Sequence, residues 1–292
     1  MSAYTIKDLE NLSGIKAHTI RIWEQRYRFL KPRRTDTNIR YYCNDELKTI
    51  LNIALLNKYG FKISHIDRMD PGEINEKILS LNDPKAIQER MVNELVREMA
   101  ELDMDTFERI IGKFSAAKGV ERTINQLICP FLEKTGLLWQ TGHINPAQEH
   151  LVTNIIRQKL MVAIEAGGSR LKSDKTFLLF LPEGEHHELG LLYTYYLLKS
   201  RGVKVIYLGA DVPLKDAAYV VEHKRPDIAF IHLTTNAQPF NFDALVHSIQ
   251  QTMSSITTVI AGQVTNDYHR KLPAYIQLKK SLPEVVGFLN SV

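Results

Sequence analysis

The stretch Phe177-Leu178-Leu179-Phe180-Leu181-Pro182-Glu183-Gly184-Glu185-His186-His187-Glu188-Leu189-Gly190 decides the reading of this chain. Five apolar residues in a row stop at a Pro and are followed by a polar loop and a helical pattern. That order reads as a buried parallel strand delivering a loop at its carboxyl end, the place where open α/β sheets bind ligands. A helix over about residues 189–200 stops at Gly202, and further apolar runs follow at residues 204–208, 228–233 and 257–261. The resulting β-α-β-α-β-α-β order predicts a doubly wound parallel α/β sheet.

At 292 residues the chain exceeds one typical core, so several domains are expected. No apolar run reaches the length of a membrane span, and Met1-Ser2-Ala3-Tyr4-Thr5 lacks the layout of a signal peptide, which predicts a cytoplasmic protein without membrane association. Two cysteines, Cys43 and Cys129, exclude a disulfide framework and a zinc ribbon, and read as small buried hydrophobes. The net charge of +4 is uneven: residues 1–68 hold thirteen Lys and Arg against seven Asp and Glu, leaving the other 224 residues at −2. A basic head on a near-neutral body is the electrostatic footprint of nucleic-acid binding.

In that head Thr5 can cap a helix over residues 6–12, Ser13-Gly14-Ile15 breaks it, and a second helix begins near Lys16. Two short helices joined by a Gly-containing turn are the helix-turn-helix layout, whose second helix enters the major groove. Ile15, Ile20 and Trp23 face the core in this reading, leaving Lys16, His18, Thr19 and Arg21 for DNA. A hairpin-like basic segment with interleaved aromatics follows, carrying Arg26, Arg33, Arg34, Arg40 and Tyr41, and then a helix over residues 45–59. Thr19-Ile20-Arg21-Ile22-Trp23-Glu24 and Arg40-Tyr41-Tyr42 resemble the recognition-helix and post-wing motifs of the winged DNA-binding domain of MerR-type regulators. The resemblance implies a dimeric reader of a pseudo-palindromic promoter element in double-stranded DNA.

Pro71-Gly72 and Asn82-Asp83-Pro84 punctuate a linker with a short helix. Four helical stretches at residues 87–101, 104–119, 120–138 and 146–166 predict a four-helix bundle. The division is thus 1–72 for the winged head, 73–85 for the linker, 86–170 for the bundle and 171–292 for the α/β domain.

Glu185-x-His187-x-x-Gly190 resembles the Asp-x-His-x-x-Gly signature of cobalamin-binding domains. In that family the His ligates cobalt from below and the acidic residue holds its other ring nitrogen, which would make His187 the lower ligand. Trp139, nine residues before Glu149-His150 in a bundle ahead of such a sheet, resembles the light-sensing repressors of the CarH and LitR type. There the bundle caps adenosylcobalamin, with the Trp over the adenosyl group and the Glu and His lining its pocket. Leu233, Thr234 and Gly262 match the segments along which the nucleotide tail of the cofactor lies. The resemblance spans nearly the whole chain and implies a homo-oligomer, dimeric or tetrameric. Four departures stand out. Glu185 replaces Asp, Gln140 stands where the family places an upper histidine ligand, with His143 as the nearest substitute, Gln263 replaces a glycine, and residues 231–235 lack the family's serine. A carboxamide is a poor cobalt ligand.

The expected protein is a DNA-binding transcriptional regulator, a repressor in this family, controlled by cobalamin and through it by light. The alternative is a MerR-type regulator with a degenerate, cofactor-free sensor domain serving oligomerisation or protein partners. An enzyme is not expected, because a winged head has no role in a cobalamin methyltransferase or mutase subunit and no substrate domain is present.

Overall fold

Thr5 opens the first helix with a reciprocal capping box: its hydroxyl accepts from the Asp8 N–H at 3.3 Å, and Asp8 accepts from the Thr5 N–H at 2.6 Å. Helix α1 (Ile6–Ser13) then ends on Gly14, whose φ of +74° lets its N–H turn back to the Glu10 carbonyl. This computed structural model describes residues 4–140, 144–167, 171–234 and 241–291, without the side chains of residues 137–140 and 267. It divides into two units, Met1–Ile155 and Ile156–Val292.

In the first unit α1, α2 (Ala17–Arg26) and α3 (Asn44–Lys58) enclose Leu9, Leu12, Ile20, Leu47, Ile50 and Leu51, all at most 2 % exposed. Between α2 and α3 lies a hairpin of two-residue strands, β1 (Arg33–Arg34) and β2 (Arg40–Tyr41), paired antiparallel as the basic segment predicts. Short α4 (Ile63–Ile66) and α5 (Pro71–Ser80) lead to α6 (Pro84–Glu101) and α7 (Met104–Lys118). The stretch expected as one helix over residues 120–138 is α8 (Val120–Thr123), a π turn (Ile124–Ile128) and α9 (Cys129–Gln140). Pro130 explains the widening, since its ring clashes with the carbonyl four residues earlier and it has no N–H to offer. That carbonyl, Gln126 O, accepts instead from the Gln88 side chain at 2.8 Å. Helix α10 (Pro146–Ala166) starts behind Asn145 and crosses the division between the units.

In the second unit the strands are β3 (Thr176–Pro182), β4 (Lys204–Val212), β5 (Ile228–His232), β6 (Thr257–Ala261) and β7 (Ile276–Lys279). Helices α11 (Leu189–Ser200), α12 (Leu214–Lys224), α13 (Phe242–Thr252) and α14 (Leu282–Asn290) alternate with them. The order across the sheet is β4-β3-β5-β6-β7 and every pairing is parallel. The doubly wound parallel sheet is therefore present, with one correction: β7 adds a fifth strand to the four expected. Its sequence Ile276-Gln277-Leu278-Lys279 is half polar because an edge strand is paired on one side only and partly wetted, so it lacks the apolar run of its neighbours. The chain leaves β3, the second strand of the sheet, toward β4 on one side, while β5 lies on the other. The loop after β3 therefore sits at the topological switch point. Cys43 and Cys129, expected as buried, are only partly so.

Candidate functional site

The switch-point loop is built around Glu185. Its side chain is 5 % exposed, and Oε1 accepts from the His187 N–H at 2.9 Å and pairs with the His187 ring Nδ1 at 2.7 Å. Oε2 accepts from the Thr234 N–H at 3.0 Å, tying the loop to the end of β5. Burial opposes charge on this carboxyl, but the hydrogen bonds from His187 and Thr234 outweigh it and hold its pKa down at about 2. An ionised partner on Nδ1 selects the His187 tautomer whose lone pair is on Nε2, the form that ligates a metal, and the ring is 46 % exposed. The longer Glu arm thus makes the contact expected of an Asp.

Asp211 supports the loop from β4, a residue the sequence reading missed. Its Oδ1 accepts from the Gly184 N–H at 2.8 Å, and its own N–H donates to the Glu185 carbonyl at 3.1 Å. Asp211 is exposed and has a left-handed φ of 58°, beside the register shifts of β3 against β4; the trace in sequence is Gly209 inside the strand. Glu188, at the start of α11, accepts from Arg157 Nε at 2.6 Å and from the Tyr207 hydroxyl at 3.0 Å.

Beside the loop the backbone leaves no room for side chains. A Cβ on Gly190 would meet the His232 ring at 2.4 Å, and one on Gly262, where φ is +107°, would meet the Leu233 carbonyl oxygen at 2.1 Å. The Leu233 side chain is buried in the sheet core, so this position offers its backbone, whereas Thr234 is exposed. Gln263 is exposed and points away from the core. His232 is the second feature the sequence did not disclose: its Nδ1 is buried without a hydrogen-bond partner among the described residues, and burial pushes the imidazole down to about 4. Among the described residues no group of three His, Cys, Asp or Glu forms a metal cage. A lone oriented imidazole with an orphaned polar atom nearby fits a metal that arrives already ringed by its own donors, as cobalt does in a corrinoid.

In the first unit, Glu149 is partly buried and His150 exposed on the first turns of α10. Their neighbour Gln148 is buried, and its amide donates to the Met99 carbonyl at 3.0 Å, anchoring α10 on the end of α6. Trp139 and Gln140 fall in the last turn of α9 with side chains outside the described set, and His143 lies outside the described residues altogether.

The basic head presents His18, Arg21, Ile22 and Gln25 on one exposed face of α2, with Ile22 43 % exposed, while Ile20 and Trp23 are buried beneath. Thr19 is partly buried and its hydroxyl lies 3.3 Å from the His18 ring. Ile22 and Gln25 belong to this face by helical spacing, although the sequence pointed only to Lys16, His18, Thr19 and Arg21 here. Lys16 is exposed and pairs with Glu10 at 3.3 Å; Arg26 and Arg33 are exposed, and Arg34 donates to the Asn38 side chain at 2.7 Å. Arg40 has a prior commitment, since its Nε donates to buried Glu24 at 3.2 Å and the Tyr42 hydroxyl donates to the same carboxylate. Glu24 thereby fastens the hairpin to α2, and Tyr41 lies partly buried beside it.

Residues 4–73 match the MerR HTH family regulatory protein family, and residues 91–163 and 176–278 match two B12 binding domain families. Two repressors of Myxococcus xanthus align with almost the whole chain. The HTH-type transcriptional repressor CarA is 26 % identical over 98 % of this chain and 96 % of its own length. The HTH-type transcriptional repressor CarH is 26 % identical over 91 % of each. The monomethylamine corrinoid protein of Methanosarcina barkeri has the same fold over 70 % of this chain and 100 % of its own, at a TM-score of 0.55 and 13 % identity. A head with an exposed basic helix thus precedes a helical segment and a parallel sheet that each match B12-binding families, and the chain combines a MerR HTH domain with B12-binding domains and is homologous over nearly its full length to the repressors CarA and CarH.

Proposed function

We propose that this protein is a non-enzymatic transcriptional repressor whose affinity for a promoter element is set by a corrinoid held on His187. The observation that carries the reading is the Glu185–His187 pair, an imidazole tautomer fixed by an ionised carboxylate at the switch point of the sheet. It stands in one chain with the exposed face of α2. In this reading Gly190, Leu233, Thr234 and Gly262 accommodate the cofactor through backbone. Trp139, Glu149 and His150 select its upper substituent, and adenosylcobalamin, when bound, supplies a cobalt–carbon bond that light can break. On the head, His18, Thr19, Arg21 and Gln25 meet bases, while Lys16, Arg26, Arg33, Arg34, Arg40 and Tyr41 meet or support contacts to phosphates. The working division remains 1–72, 73–85, 86–170 and 171–292, and the protein acts as a cytoplasmic dimer or tetramer. Among the described residues no helix is long and apolar enough to cross a membrane.

The test is an absorption spectrum of the full-length protein mixed with adenosylcobalamin and freed of excess, paired with a mobility shift on its own promoter with and without the cofactor. Stoichiometric retention with a spectrum showing histidine on cobalt, and a cofactor-dependent shift, are expected. No retention, with promoter binding unaltered by the cofactor, overturns the reading in favour of a cofactor-free regulator.

A further inference from the structure

A cavity of about 450 Å³ lies in the first unit where four helices meet. The end of α1 contributes Asn11 and Ser13, α3 contributes Leu51, Leu55 and Lys58, α6 contributes Glu89, Val92 and Asn93, and α9 contributes Pro130 and Lys134. Its size is that of a small-molecule site, and its lining combines an apolar floor with a few convergent polar groups.

The charges do not balance. Lys58 and Glu89 pair with each other. Lys134 donates to Asn93 Oδ1 at 2.6 Å, and among the described residues it has no carboxylate partner. An ammonium carries three N–H donors, so two remain. Burial draws the Lys134 amine down to about 8, with Glu89 opposing and Lys58 adding to the fall. Among the described residues lining the cavity, the other charged groups are Lys58 and Glu89; the end of α1 brings neutral residues. A partly buried cation that must share the facing Glu89 carboxylate with Lys58 carries a desolvation cost that a bound anion would reduce.

We propose that this cavity binds a small organic monocarboxylate, its carboxylate on Lys134 Nζ and its apolar body against Leu51, Leu55, Val92 and Pro130. Because α1 and α3 belong to the winged head while α6 and α9 belong to the helical segment behind it, the occupant ties together the helices that position α2. The site shares no residue with the Glu185–His187 loop and is independent of the corrinoid reading.

Calorimetric titration of the full-length protein with benzoate and with hexanoate, at about pH 8 in two buffers of different ionisation enthalpy, tests it. One-to-one saturable binding is expected, with uptake of about half a proton per site, since an amine titrating near 8 is half neutral there and the carboxylate restores its charge. Lys134→Met should weaken binding at least tenfold. Asn93→Asp should do the same without altering the amine's place, because a built-in carboxylate neutralises Lys134 and repels the ligand. The second variant decides the matter if the first does not fold. Absence of saturable binding by both acids, or binding and proton uptake unchanged in Asn93→Asp, overturns the proposal.

Discussion

An imidazole ligates a metal through whichever nitrogen keeps its lone pair, and what the other nitrogen donates to makes that choice. Glu185 makes it for His187, so Glu185→Gln should weaken corrinoid retention by roughly 10–100-fold while leaving the loop in place. His187→Ala should abolish the spectrum of histidine on cobalt; an unchanged spectrum in that variant moves the ligand elsewhere. His232 gives a prediction that needs no cofactor. Its folded pKa of about 4 lies below the ordinary 6.5, so it is neutral in the folded chain and protonates first when unfolded. The stability it confers is complete above about pH 6.5 and is lost as pH falls toward 4, amounting to about 3 kcal/mol by linkage. His232→Leu should flatten that part of the stability–pH curve in denaturant titrations, and a curve of unchanged slope removes His232 as its source. Glu185 and His187 were legible in sequence because two residues within one loop carry their own spacing. His232 was not, because it ends an apolar strand and its isolation is created by Gly190, a residue of another element.

At the scale of elements, the positions of the hairpin and of α2 were legible from charge and motif, whereas the bond joining them was not, since Glu24 and Arg40 are brought together only by the fold. The same limit hid the π turn. Pro130 in a helical run announces a disturbance, but its form depends on Gln88 reaching across to the freed carbonyl. The division of labour on DNA follows from exposure. Arg21→Ala should cost roughly 1–3 kcal/mol on the specific promoter and little on random DNA if, as proposed, it meets a base from the exposed face of α2. Arg33→Ala should weaken both alike and reduce the salt slope by about 1. Equal losses on both DNAs for Arg21→Ala would show that it meets a phosphate. In the sheet, Gly262→Ala should destabilise the second unit by at least about 1–3 kcal/mol from backbone strain alone, because its Cβ has only the Leu233 carbonyl to enter. Thermal unfolding checks this, and an unshifted midpoint shows that β5 and β6 can part without cost.

At the scale of the whole chain the order of basic head, helical segment and parallel sheet was legible because each has its own period or motif, and α10 runs through the division between the two compact units without a break in pattern. In the proposed function a ligand on one unit alters DNA binding by the other. Such control requires the corrinoid to bind two states of the protein with different affinity. The coupling must then be reciprocal: if adenosylcobalamin raises promoter affinity by some factor, the promoter raises adenosylcobalamin affinity by the same factor. Measuring the cofactor's Kd with and without promoter DNA therefore tests the mechanism from its other side, and unequal factors show that oligomer formation or a second ligand intervenes. Light extends the test. Breaking the cobalt–carbon bond removes the upper substituent, and illumination should lower promoter affinity toward that of the cofactor-free protein. Gln140 stands where the family resemblance places a second histidine, and a carboxamide holds cobalt poorly. The illuminated protein should therefore recover DNA binding when fresh adenosylcobalamin is added in the dark, and a Gln140→His variant should lose that recovery. A wild type that stays released from DNA after this addition shows that another side chain has taken the upper position, and His143→Ala then identifies whether it is that one.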